Sequence, residues 1–172
     1  MGGFAEDAAL ERGVRAGRKD LDLLVERDEW PALRVRLENA GLGPFKEVLA
    51  APRGEAIAFA ARIASLEIEA WLCDRVDDGF AIVLPGTSDE GAPAFFRLTL
   101  PTDTFDFAES KLEGVRLQTV SPSALAALRA ASTRTRGDSE QRRADMEMGD
   151  LLRQRFPLAD GGRRRGLPLT RL

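Results

Sequence analysis

Two stretches of this chain alternate apolar and acidic residues with a period of two, and that pattern constrains the fold more than any other feature. In "KDLDLLVE", Leu21, Leu23 and Val25 fall on one side, and Asp20, Asp22 and Leu24 on the other. In "SLEIEAWLC", Leu66, Ile68, Ala70 and Leu72 share one side, while Glu67, Glu69, Trp71 and Cys73 share the other. A period of two belongs to strands, so each stretch predicts a strand with one face to bury and one face bearing carboxylates. Buried carboxylates are costly unless they are paired or bind a cation. Either these faces are solvated, or something positive sits on them. Asp-x-Asp alone is common by chance, and an exposed strand face accounts for it.

The rest of the chain mixes helices and strands without regular alternation. "GGFAEDAALERG" reads as a glycine pair leading into a short helix, with Phe4, Ala8 and Ala9 on one side. "DEWPALRVRLENAG" reads as a helix: Trp30, Leu33, Leu37 and Ala40 follow helical spacing, Pro31 suits the first turn, and Gly41 suits the end. Residues 44–64 are compatible with two short strands around "APRGEA" or with a helix through "AIAFAARIA". A hairpin is expected at Asp78-Gly79. Residues 85–105, rich in Gly, Pro, Thr and Asp, predict a long loop. "GVRLQTV" predicts a half-buried strand. A helix follows, with Ser121 as its cap and Pro122 at its first position. A last helix spans roughly 138–155, with Ala144, Met148, Leu151 and Leu152 as its apolar stripe. The fold class expected is α+β, a small mixed sheet with helices packed on it. Residues 1–156 form the domain, and the basic stretch 157–172, with little to bury, is expected to be disordered.

Composition narrows the chemistry. The 172 residues contain no histidine and one cysteine, Cys73. That removes Ser-His-Asp and Cys-His catalysis, His-ligated zinc, thiolate clusters and intrachain disulfides. A single cysteine fits a reducing cytoplasm. A net charge of -3 gives no reason to expect nucleic acid as a partner, and no apolar run reaches membrane-spanning length. Chemistry is left to carboxylates, arginines, three lysines, hydroxyls and backbone. Magnesium is the natural cofactor for such a set.

Residues i and i+2 on a strand share a face, roughly 7 Å apart. Asp20 and Asp22 at that spacing suit one divalent ion, or two ions about 3.5–4 Å apart. Gly2 and Gly3 precede a helix, where unhindered amides can approach a phosphate. Arg15, Arg18 and Lys19 fall just before the aspartates, where they can meet phosphate oxygens. Glu67 and Glu69 supply a third carboxylate if the two strands are neighbours.

With these residues in place, "GGFAEDAALERGVRAGRKDLDLLVERDEWPALRVRLENAGL" resembles the nucleotidyltransferase superfamily of DNA polymerase beta type, in particular its small bacterial aminoglycoside and lincosamide adenylyltransferase-like group. Gly2, Gly3, Ala5, Asp7, Leu10, Arg12, Arg15, Asp20, Leu21 and Asp22 fit that family's glycine turn, helix and "hxDLDLxV" strand. "IEAWLCDRVDDG" looks like its third-carboxylate strand and hairpin. "LEGVRLQTVSPSALAAL" and "RRADMEMGDLL" resemble the later strand and helices. The resemblance runs to about residue 155. It implies that Asp20 and Asp22 bind magnesium with the nucleoside triphosphate, and that Gly2 and Gly3 hold phosphate through backbone amides. It further implies that Arg15 pairs with phosphate, with Arg18 or Lys19 as alternates. Glu69 takes the third-carboxylate place, ligating metal or helping to deprotonate the acceptor, with Glu67 as the fallback. The family has a helix and a strand before its glycine pair, whereas here Met1 precedes Gly2. An N-terminally shortened chain, one strand short, is therefore expected.

The function this implies is transfer of a nucleoside monophosphate from a nucleoside triphosphate, ATP first, to a hydroxyl of a small molecule such as an aminoglycoside-like antibiotic. Asp77, Asp78, Asp103 and Asp106 are candidates for an acidic rim that would attract a cationic acceptor. Two alternatives stay open: a catalytically weak or inactive binding or regulatory module, and a toxin–antitoxin-type enzyme that modifies a protein hydroxyl. Acceptor, preferred base and oligomeric state are not encoded in any motif.

Overall fold

The structure, a computed structural model, describes residues 5, 7, 9–10, 20–88, 90–106, 108–112, 114–135, 139–156 and 169–172. The alternating stretches are strands, as expected: β1 (Asp20–Glu26) and β4 (Leu66–Val76). Together with β2 (Lys46–Ala50), β3 (Ala56–Ile63), β5 (Gly79–Thr87), β6 (Pro93–Leu100) and β9 (Leu169–Arg171) they build a seven-stranded sheet. Its path runs β2-β3-β4-β5-β6-β9, with β1 joined to β4. A separate hairpin pairs β7 (Ala108–Leu112) with β8 (Val115–Thr119). Three α-helices are described: α1 (Trp30–Asn39), α2 (Pro122–Thr135) and α3 (Ser139–Arg155). The fold is α+β with a mixed sheet, since β1 alone pairs parallel.

β4 is long because it serves several partners. Residues 66–71 pair antiparallel with β3, residues 67–73 pair parallel with β1, and from Cys73 onward the pairing passes to β5. The alternation of β1 and β4 then sorts side chains between two cores. Val25, Ile68, Ala70 and Leu72 join Trp30, Phe45 and Ala61 on one face, with Leu33 and Leu37 of α1 packed against them. Trp30 sits edge-on to Phe45, with ring centroids 5.2 Å apart. On the other face, Cys73 joins Phe80, Ile82, Leu84, Leu98 and Leu100 beneath Ala127, Leu128 and Ala131 of α2, with Leu24 and Trp71 packed at the margin. A third cluster, Ala9, Leu125, Met148 and Leu152, links the N-terminal helical residues to α2 and α3.

The strand option for residues 44–64 holds, and the helical one does not. The small side chains of "AIAFAARI" alternate between the sheet's two sides, so Ile57, Ala58, Ala60 and Ala61 are all buried. The β4–β5 hairpin forms with Val76 opposite Gly79, so Asp77-Asp78 is the loop, one residue earlier than expected. Gly79 adopts φ 136°, a conformation open to glycine, and a Cβ there would strike the Leu100 carbonyl. Ser121 caps α2 as expected: its Oγ accepts the Ala124 N–H at 3.2 Å.

Several expectations require correction. Residues 85–105 are not one long loop, for β5 runs to Thr87 and β6 spans Pro93–Leu100. Turn-forming residues masked the pattern, but Pro93 opens its strand, where proline is tolerated, and Leu98 and Leu100 are fully buried. Ala40 and Ala144 are exposed rather than part of apolar stripes. Within the stretch 157–172, the described residues Leu169–Arg171 form a strand that extends the sheet along β6, and Leu169 packs against the α2-covered core.

Candidate functional site

The site is built on the acidic faces of β1 and β4. The two strands are parallel and in register, so Asp20 lies opposite Glu67 and Asp22 opposite Glu69. Strand neighbours sit about 4.8 Å apart and face-sharing residues about 7 Å apart along each strand. Four carboxylates therefore occupy a two-by-two array at the starts of both strands. Opposite this array, on the other side of the sheet, lies the Trp30–Phe45 core. The condition for a third carboxylate, that the two strands be neighbours, is met by the structure.

The two glutamates have different surroundings. Glu67 Oε2 accepts from Arg62 Nη2 at 3.3 Å, and the Arg62 side chain is 74% exposed. Glu69 Oε2 accepts from the Trp71 indole Nε1–H at 3.0 Å. Burial pushes the Glu69 carboxyl above the usual carboxylate range; the Trp71 hydrogen bond opposes this, and the charges of Asp22 and Glu67 add to it. Crowded negative charge of this kind is what a cation relieves. Among the described residues, however, no three His, Cys, Asp or Glu side chains converge as a ready-made metal cage. Magnesium does not require one: it is held by one or two carboxylates with phosphate oxygens and water completing its octahedron. The oxygen donors of the array fit such an ion in type and charge.

Just beyond the array the same face closes over. Leu24 and Trp71 pack on the core, and Cys73 donates its S–H to the Val25 carbonyl at 3.5 Å. Burial pushes the Cys73 thiol up to about 12, which favours the neutral thiol over the nucleophilic thiolate. At the strand ends, Arg27 pairs with Asp74 at 2.6 Å and Arg75 with Glu26 at 2.8 Å. The Asp74 hydrogen bond raises the Arg27 guanidinium above its usual value. These pairs bridge the ends of β1 and β4, away from the acids.

Gly2, Gly3, Arg15, Arg18 and Lys19 lie outside the described residues. Ala5, Asp7 and Ala9 are helical, and Asp7 is fully buried. Two of the acidic-rim candidates lie away from the array. Asp77 and Asp78 lie at the far end of β4, about 26 Å along the strand from Glu69. Asp103 accepts from Ser123 Oγ at 2.7 Å and serves the start of α2. The partners of Glu67 and Glu69 were not legible beforehand, although the i, i+2 placement of Trp71 beside Glu69 was the available signal.

No family model matches the chain, and no curated protein sequence matches it. Its fold is similar to that in the crystal structure of ANT(2")-Ia in complex with adenylyl-2"-tobramycin, at 19% identity and a TM-score of 0.56, over 88% of this chain and 75% of that one. The likeness is one of fold. Among the described residues no helix is long and apolar enough to cross a membrane.

Proposed function

We propose that this chain is a magnesium-dependent nucleotidyltransferase that moves a nucleoside monophosphate, from ATP first, to a hydroxyl of a small molecule. The register that sets Asp22 beside Glu69 carries the reading. Asp20, Asp22, Glu67 and Glu69 are neighbours across two strands, on a fold similar to one seen with an adenylyl group joined to tobramycin. Aminoglycoside-like acceptors are accordingly the first class to test.

Asp20 and Asp22 would hold the magnesium ion, and Glu69 adds its charge beside them. When bound, the ion supplies charge neutralisation for the triphosphate. Gly2 and Gly3 are assigned to phosphate through their backbone amides, Arg15 to a phosphate oxygen, and Arg18 or Lys19 to the same task as alternates. The acceptor oxygen forms a bond to the α-phosphorus as the bond from that phosphorus to pyrophosphate breaks. The acceptor proton passes to the Glu69 carboxylate, whose raised affinity for protons suits a base. Transfer of this kind depends mainly on positioning and electrostatics, which explains how a chain without histidine can perform it.

The test is calorimetric titration of Mg·ATP into the wild-type chain and Asp20→Ala, followed by a screen of hydroxylated acceptors with radiolabelled ATP. Binding by the wild type, its loss in the variant, and label transfer to one acceptor class are expected. Absence of Mg·ATP binding by the wild type would overturn the proposal.

A further inference from the structure

The array offers two glutamates on one face of one strand, and the structure treats them unequally. Glu67 is met by Arg62, a long and largely exposed side chain near the β3–β4 turn, at 3.3 Å. Exposed pairs of this kind hold neither partner firmly. Glu69 is met by an indole. Trp71 sits two residues on, its ring packed against the α2-covered core beside Leu24, its register neighbour on β1. On its β3 side the neighbour is Ala58, whose small side chain is fully buried. Trp71 therefore has one side fixed in the core and its one polar atom, Nε1–H, on Glu69 Oε2 at 3.0 Å.

We propose that Trp71 is the positioning residue of the site: anchored by the core, it fixes the Glu69 carboxylate beside Asp22 and thereby selects Glu69 over Glu67 as the third acid. The inference rests on the nucleotidyl-transfer reading and goes beyond it. A side chain locked by packing and donating a hydrogen bond is what holds a reacting group in a productive geometry. An exposed arginine that can swing into water is not. The ordinary role of a half-buried tryptophan is to satisfy its N–H with any acceptor nearby. The two roles differ in their consequence for binding, and that consequence can be measured.

The experiment compares wild type, Trp71→Phe, Glu69→Gln and the double variant by calorimetry, with Mg·ATP and with ATP in chelator. Phenylalanine keeps an aromatic ring at the position, smaller than the indole, and removes the donor. Trp71→Phe is expected to weaken Mg·ATP binding about tenfold, leave metal-free ATP binding unchanged, and add nothing once Glu69 is Gln. An unchanged Mg·ATP affinity, equal losses with and without metal, or additive effects would overturn the proposal. Should the variant not fold, the wild-type indole N–H resonances decide: Mg·ATP should move that of Trp71 and leave that of the buried Trp30, and a still Trp71 resonance overturns the idea. If the wild type binds no Mg·ATP, the nucleotidyl-transfer reading falls and this role falls with it. If it binds and Trp71→Phe binds equally well, only the role of Trp71 falls.

Discussion

One step along β1 or β4 separates a residue sealed in the core from a carboxylate on the sheet's other face. Ile68 is 3% exposed and Ala70 is fully buried, while Glu67 and Glu69 between and beside them are only half-buried. Val25 packs with Trp30 and Phe45, whereas Asp20 at the start of the same strand is exposed. Over residues 20–25 and 67–70, burial and negative charge thus fall on opposite faces of the same two strands. The apolar face is held by area removed from water. Beside the acids, burial first, and then the charges of Asp22 and Glu67, raise the Glu69 carboxyl above its ordinary range. The acidic face should therefore tolerate substitutions that the apolar face cannot, and should lose function instead.

The sharpest way to break this contrast is Asp20→Asn or Asp22→Asn. Either should lower magnesium-dependent transfer by roughly a thousandfold or more, since several kcal/mol of charge stabilisation is lost. Thermal unfolding should be close to that of the wild type. Turnover within a few-fold of wild type, or unfolding of both variants, would show that the faces are not divided as described.

On the opposite face, Ile68→Ala should cost about 2–5 kcal/mol of stability by denaturant titration, from lost burial and the cavity left behind. A loss below about 1 kcal/mol, outside that range, would mean that the Trp30–Phe45 core is not what holds β1 and β4 to α1.

A smaller effect is expected at the sheet's edge. Deleting residues 169–172 removes three ladder positions on β6 and the contact of Leu169 with the core. The melting temperature should fall by about 2–4 °C, the shift that about 1 kcal/mol produces in a domain of this size. An unchanged melting temperature would return this segment to the status of an undocked tail.

The smallest effect sharpens the contrast on the acidic face itself. The Glu69 carboxyl is raised, first by burial and then by Asp22 and Glu67. A raised folded-state value means that its contribution to stability is fully present below the ordinary value of 4.5 and is lost as pH rises through the folded value. At neutral pH the charged form therefore opposes folding. Glu69→Gln should slightly raise the melting temperature at pH 7 and give no gain at about pH 4, where the carboxyl is protonated anyway. Calorimetric scans at the two pH values check this, and a lower melting temperature at pH 7 would contradict the assigned origin of the shift.

Local chemistry explains which parts of the fold could be read in advance. Ser121 before Pro122 is a helix start whatever surrounds it, because the cap oxygen and the missing proline N–H act within one turn. Trp30, Leu33 and Leu37 mark the buried side of α1 by spacing alone. β6 escaped notice because its flanks, Gly91 and Pro93, are turn residues, while its burial depends on a partner, β5, and on a covering helix. β9 escaped for a related reason. Three residues carry no periodicity, and Leu169–Arg171 is a strand only because the β6 edge is there to pair with it.

The alternation within "DLDLLV" and "LEIEAWLC" by itself determined that two strands exist, which residues share each face, and that both carry carboxylates on one face, because the pleat projects side chains to alternate sides. It also determined, through the absence of histidine, that any chemistry belongs to acids, bases of other kinds and hydroxyls. What only the tertiary structure decided is that these strands, more than forty residues apart in the chain, lie side by side, parallel, with Asp22 opposite Glu69. Pairing and register are set by how the apolar faces of β1 and β4 meet α1 and Phe45, and a slip of one residue would turn every acid into the core. The unequal treatment of Glu67 and Glu69 was likewise decided in three dimensions. Both are glutamates on one strand face, and only the packing of Trp71 against a core built from β5, β6 and α2 sets a rigid donor beside one of them.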